Sequence, residues 1–252
     1  MDLILLCIVA FLAGFTDAIA GGGGLIQTPA ALVLLPQYPV ATVIGTLKIP
    51  AFCGTSIATA QYAKRVQVNG FLLVLMTVIA FCAAYAGSTL LLKVNNSFMK
   101  PLLLVILIFV AIYTFRNRRF GNHTKKDHNF AQQLGYSLLI SAVIGFYDGF
   151  IGPGAGSFLI MAFIGLMGFD FLKASAHAKF VNLATNLGSI VFFAASGKII
   201  YTIALPMAVC NGAGGLLGAK LALLKGNAFI RIFFLFVVTG TIIRFAYDVF
   251  FK

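Results

Sequence analysis

The sequence predicts an all-α integral membrane fold, and three observations support that prediction. Of its 252 residues, 61% are hydrophobic and 10% charged, with a mean hydropathy of +1.02, too little polar surface to cover a soluble domain. The apolar runs are continuous and most are about 17 to 25 residues long, as helical spans require, whereas barrel strands would alternate. Backbone amides in lipid must be satisfied within their own segment, which leaves the helix as the unit. The third observation is duplication: Gly14-Phe15-Thr16-Asp17 recurs as Gly145-Phe146-Tyr147-Asp148, at an offset of 131.

The elements follow in order. The first run, 3–20, lacks a basic stretch before it and carries Asp17 near its end, so it reads as a retained span, not a cleaved signal. Apolar stretches at 24–35, 40–62, 70–92 and 99–115 complete a first set. A polar interval from Arg116 to Gln133 precedes a second set at 134–151, 155–168, 172–195, 199–223 and 228–250, in the same order of lengths. The expected organisation is a first membrane repeat over 1–115, a basic cytoplasmic loop over 116–133 and a second membrane repeat over 134–252. Each repeat would hold about four spanning helices plus one short, Gly-broken segment of re-entrant length.

Offset 131 also carries Gly21 to Gly152, Gly23 to Gly154, Lys48 to Lys179 and Thr55 to Asn186 without a gap. The short segments follow the breaks Gly21-Gly22-Gly23-Gly24 and Gly152-Pro153-Gly154-Ala155-Gly156. Non-helical backbone at membrane depth is tolerated only against protein or a wet cavity, so paired breaks point to a central binding site. The net charge of +12 comes from 18 Lys and Arg against 6 acidic residues. It fits cytoplasmic loops, with Arg116, Arg118, Arg119, Lys125 and Lys126 on the side of Lys64 and Arg65. No nucleic-acid motif accompanies it. The remaining basic residues divide too evenly to settle parallel or inverted repeats; the balance leans toward inversion.

Charged side chains inside a membrane cost roughly 2.5 to 3.5 kcal/mol each on insertion scales, which makes Asp17, Lys48, Asp148, Lys179 and Lys220 functional candidates. Lys179, Asn182, Asn186 and Ser189 share one helical face; Lys48, Thr55 and Thr59 form the counterpart, with Pro50 expected to loosen the helix. Amides opened at the breaks, around Gly22, Gly23 and Gly154, add donors at a positive helix end. Lysines and amides together favour an anion, although glycine equally permits close packing, the better reading of Gly212, Gly214, Gly215 and Gly218. Asp17 and Asp148 are placed to cap the next helix, stabilise a lysine or carry a proton, with capping the first expectation. His177 is a further titratable neighbour. Cys7, Cys53, Cys82 and Cys210 stand singly, with no metal-ligand or disulfide pattern.

The stretch from Gly14 through Gly24, its echo from Gly145 through Phe158, and Lys173-Ala-Ser-Ala-His177-Ala-Lys179-Phe-Val-Asn182 resemble the TauE/SafE family of bacterial membrane transporters, also called sulfite exporters. The resemblance covers roughly residues 8–250. It implies a multispan inner-membrane protein moving sulfur-containing anions such as sulfite and organosulfonates. The family's marked positions fall at Asp17, Gly21 to Gly24, Lys48, Asp148, Gly152, Pro153, His177, Lys179 and Asn182.

The expected function is a secondary transporter of a small anion, working by alternating access at the repeat interface. Lys48, Lys179, Asn182, Asn186, Gly22, Gly23 and Gly154 would bind substrate, and Asp17, Asp148 and His177 would couple protons or serve as structural polar groups. No catalytic residue, metal or cofactor is expected, since HExxH, GxSxG and P-loop patterns are missing. The expected partners are a small anion and the lipid bilayer, with no nucleic acid; a homodimer is the assembly considered. The alternatives are a passive anion channel and a carrier of an unrelated small solute.

Overall fold

A computed structural model describes residues 2–67, 69–94 and 129–251. Within them every regular element is a helix: α1 (Asp2–Ala20), α2 (Gly23–Leu34), α3 (Val40–Ala63), α4 (Gly70–Lys93), α5 (Phe130–Phe150), α6 (Ala155–Met167), α7 (Phe171–Ala195) and α8 (Tyr201–Phe251). Among the described residues, six helices are long and apolar enough to cross a membrane, and α2 and α6 are too short. The chain is therefore an all-α, multi-pass membrane protein. The apolar stretch expected at 99–115 and most of the basic loop lie outside the described residues.

Two boundaries differ from the hydropathy segmentation. Helix α5 starts at Phe130, earlier than 134, because Asn129 and Gln132 form a capping box in which each side chain meets the other's backbone N–H. Polar capping residues are what a hydropathy scan discards. The stretches 199–223 and 228–250 fall in one run, α8, interrupted where Gly226 turns to φ 72°. Helix α3 continues through Pro50. Its counterpart α7 is capped by Asp170, which accepts from Lys173 N at 2.7 Å, and by Asn227, which accepts from Leu172 N at 2.7 Å.

The long helices pack in the order α1, α8, α3, α7, α4, α5. Offset 131 equates α1 with α5, α3 with α7, and α4 with the first part of α8, so this order reads the same in both directions. The fourth helix of each half has crossed over: α4 lies with α5 and α7, and α8 with α1 and α3. Glycines make the seams. A Cβ on Gly87 would stand 2.2 Å from the Phe146 carbonyl oxygen, and one on Gly218 would stand 2.3 Å from that of Phe15, its equivalent. Gly214 and Gly215 meet Phe11 and Gly54 in the same way, as expected of a small-residue contact surface. Large apolar side chains such as Val33, Val74, Val143 and Val209 face outward, the arrangement a lipid solvent favours.

A buried site between two broken helices

The two glycine breaks meet at the centre. Gly21 (φ 72°) and Gly152 (φ 92°) turn the chain out of α1 and α5 in the left-handed region that only glycine enters freely. A Cβ on Gly21 would lie 2.3 Å from the Gly156 carbonyl carbon, so the crossing depends on glycine there. Ser157 Oγ donates to Ala20 O at 3.0 Å across the crossing, and Tyr147 OH donates to Pro153 O at 2.6 Å.

Two ion pairs tie the halves together reciprocally. Lys48 Nζ, from α3, donates to Asp148 Oδ1 at 2.8 Å and to the Asp148 main-chain oxygen at 2.7 Å. Lys179 Nζ, from α7, donates to Asp17 Oδ2 at 2.8 Å and also to the Asp17 main-chain oxygen. Each lysine thus meets a carboxylate and the negative C-terminal end of the other half's first helix. Lys179 is fully buried at 0% exposure, which is tolerable only for a charge that is paired and hydrogen-bonded. The capping role expected first for the carboxylates is not the one seen. No side chain caps α2 or α6, because both acids turn toward lysines.

The pairs are not equivalent. Thr185 Oγ1 donates to Asp148 Oδ2, so both oxygens of that carboxylate are engaged. Offset 131 puts Gly54 where Thr185 stands, so Asp17 lacks this donor. The Asp17 side chain is 17% exposed and that of Asp148 is 5%.

Between the breaks lies a cavity of about 60 Å³, bounded by Asp17, Asp148, Lys48, Thr55, Asn182 and Asn186, with Gly23, Gly24, Gly154, Ala155 and Gly156 from the breaks. Gln27, Thr28 and Asn211 complete its polar wall. At roughly 30 Å³ for each water in the liquid, the cavity has the room of about two waters. The first turns of α2 and α6 both face this space, each uncapped by any side chain.

Most of the residues singled out in the sequence therefore converge. Lys48, Asn182, Asn186, Gly23, Gly154, Asp17 and Asp148 bound the cavity. Lys179 lies behind Asp17, and Gly22 is not in the wall. His177 is elsewhere: its Nδ1 is 2.8 Å from Lys173 O, and its ring packs on Phe163 and Phe169. Lys220 is exposed on α8. Sequence reasoning missed Gln27, Thr28, Thr185 and Asn211. Asn and Gln within apolar runs were the available signal, but neither Gln27 nor Asn211 recurs at offset 131.

Membrane-length helices around two short helices whose glycine breaks meet, with paired charges buried beside a polar cavity, define a transport protein. The comparisons agree. The model of the family described as Sulfite exporter TauE/SafE matches residues 6–245. The chain belongs to the TauE/SafE family and is a membrane transporter. It is 35% identical to a probable membrane transporter protein of Haemophilus influenzae, over 90% of this chain and 88% of that one. A probable membrane transporter protein of a Sinorhizobium species is 34% identical, over 98% and 93%. The Escherichia coli K12 probable membrane transporter protein YfcA is 35% identical, over 88% and 81%. No solved structure matches the chain.

Proposed function

We propose that the chain is a secondary carrier of a small anion, sulfur-containing as its family's description suggests, acting by alternating access in the bacterial inner membrane. One observation supports this most directly: uncapped N-termini of two helices, one from each half, face the same buried polar cavity. Each brings first-turn amides, among which Leu25 N and Ala155 N already donate to Gly22 O and Gly152 O, and the positive end of a helix dipole, the arrangement that binds anions. Lys48 lies beside them with two of its three N–H groups donated to Asp148.

Charge balance adds a coupling step. Lys48, Lys179, Asp17 and Asp148 cancel, so an entering anion brings an unmatched charge into a medium of low dielectric. A proton on Asp17 leaves Lys179 unmatched and makes the site cationic. Asp17 is the carboxylate suited to this, being the more exposed and lacking the hydroxyl donor that holds Asp148. Anion and proton then enter together.

The test is uptake of labelled sulfite and a panel of organosulfonates into proteoliposomes. Wild type is expected to give saturable flux accelerated by a proton gradient directed inward, and Lys48→Met to lose it. In Asp17→Asn, saturable flux without gradient dependence is expected. Wild-type flux indifferent to the gradient rules out the coupling step, and no flux of any of these anions overturns the anion reading.

A further inference from the structure

Gln27 lies one turn into α2 on the cavity wall and is 3% exposed. Its Oε1 accepts from Asn211 Nδ2 at 3.2 Å, and its buried Nε2 has no hydrogen-bond partner. Buried amide donors are nearly always satisfied, so an unpartnered one on a residue of the cavity wall points to a ligand.

The orientation of this pair follows from what surrounds Asn211. The directions in which Gly14 and Gly54 would carry a Cβ end 2.7 and 2.0 Å from Asn211 Oδ1. Two glycine Cα–H groups therefore point at that atom, a setting for an oxygen acceptor and not for an amino group. With Oδ1 seated there, Nδ2 faces Gln27 Oε1, and Gln27 Nε2 is the donor left over. Packing does not call for the pair. Offset 131 equates Asn211 with Ala80 and Gln27 with Phe158; at the equivalent seam Gly145 closes on Ala80, 3.1 Å from a built Cβ to Ala80 Cα. One side of the molecule closes with alanine where the other carries a carboxamide pair on the cavity wall.

We propose that Gln27 Nε2 is a substrate-recognition donor, positioned by Asn211, that binds an oxygen of a compact oxyanion built on one central atom. The cavity, of about 60 Å³, sets that size class. The proposal rests on the anion-carrier reading and assigns its specificity to the side of the cavity that the duplication leaves unmatched. A neutral donor suits this role, since it selects an oxygen without adding charge to a site whose lysines are already paired.

The experiment measures KM and maximal rate for sulfite in proteoliposomes of wild type, Gln27→Glu and Asn211→Ala. In Gln27→Glu the new carboxylate still accepts from Asn211 while the donor is lost and a repelling charge is added, and its unfolding temperature, taken alongside, reports what the unpaired buried charge costs the fold. Losing a hydrogen bond to a charged acceptor raises KM about tenfold or more, and Gln27→Glu is expected to do so at an unchanged maximal rate. Asn211→Ala, which copies the alanine seam but leaves Gln27 Oε1 without its donor, is expected to raise KM less and to lower the unfolding temperature modestly. Thermal stabilisation by sulfite, measured in detergent, is expected for wild type and lost in Gln27→Glu. Wild-type KM and sulfite stabilisation in Gln27→Glu, alongside saturable wild-type flux, overturn the assignment and leave the carrier intact. Absence of wild-type flux and of sulfite stabilisation overturns both.

Discussion

Lys48 and Lys179 each reach across to the opposite half, over 100 and 162 residues of sequence. Removing one partner of a buried pair leaves the other charge unmatched and costs about 3–5 kcal/mol, whereas removing both with shape retained costs far less. Lys179→Met alone is thus expected to lower the unfolding temperature in detergent sharply, and Lys179→Met with Asp17→Asn to recover most of the loss. A double variant as unstable as the two losses combined contradicts the pairing. All four charged residues were legible from the cost of a charge in lipid. Their partners were not, because hydropathy reports that a group is buried without saying what faces it. Gln27 and Asn211 were illegible for another reason: recurrence singles out the charged pairs, and these two residues mark where the halves differ.

The breaks were the most legible elements, since runs of glycine and proline can hardly continue a helix. Their mutual contact was not, because a glycine that opens a helix and one that admits a neighbour look alike in sequence. Two substitutions separate these uses. Gly197 has φ 65° with nothing close to a built Cβ, so Gly197→Ala costs only the strain of a left-handed backbone, about 1–2 kcal/mol. Gly21→Ala incurs the same strain at φ 72° and also drives a methyl group into Gly156, adding about 1–3 kcal/mol or more of overpacking. Unfolding temperatures should therefore rank wild type above Gly197→Ala and Gly197→Ala above Gly21→Ala; equal losses would mean the breaks do not touch.

The crossing of α4 and α8 into the opposite halves gives the molecule its palindromic packing, which no local pattern in the sequence encodes. It predicts matched effects at matched seams. Gly87→Leu and Gly218→Leu each push a side chain into the main chain at Phe146 or Phe15. The two variants should lose similar stability by thermal unfolding, and a large loss at one with none at the other contradicts the arrangement. At this scale the central claim is the proposed one, that the site between the halves opens to one side at a time. It is tested most directly by counterflow: proteoliposomes loaded with the unlabelled anion that shows the highest uptake receive a trace of the labelled form outside. An alternating-access carrier exchanges one for the other and drives a transient overshoot of label above equilibrium, which Lys48→Met abolishes. Monotonic equilibration without overshoot, at a rate that never saturates, is the behaviour of a channel and would contradict the account.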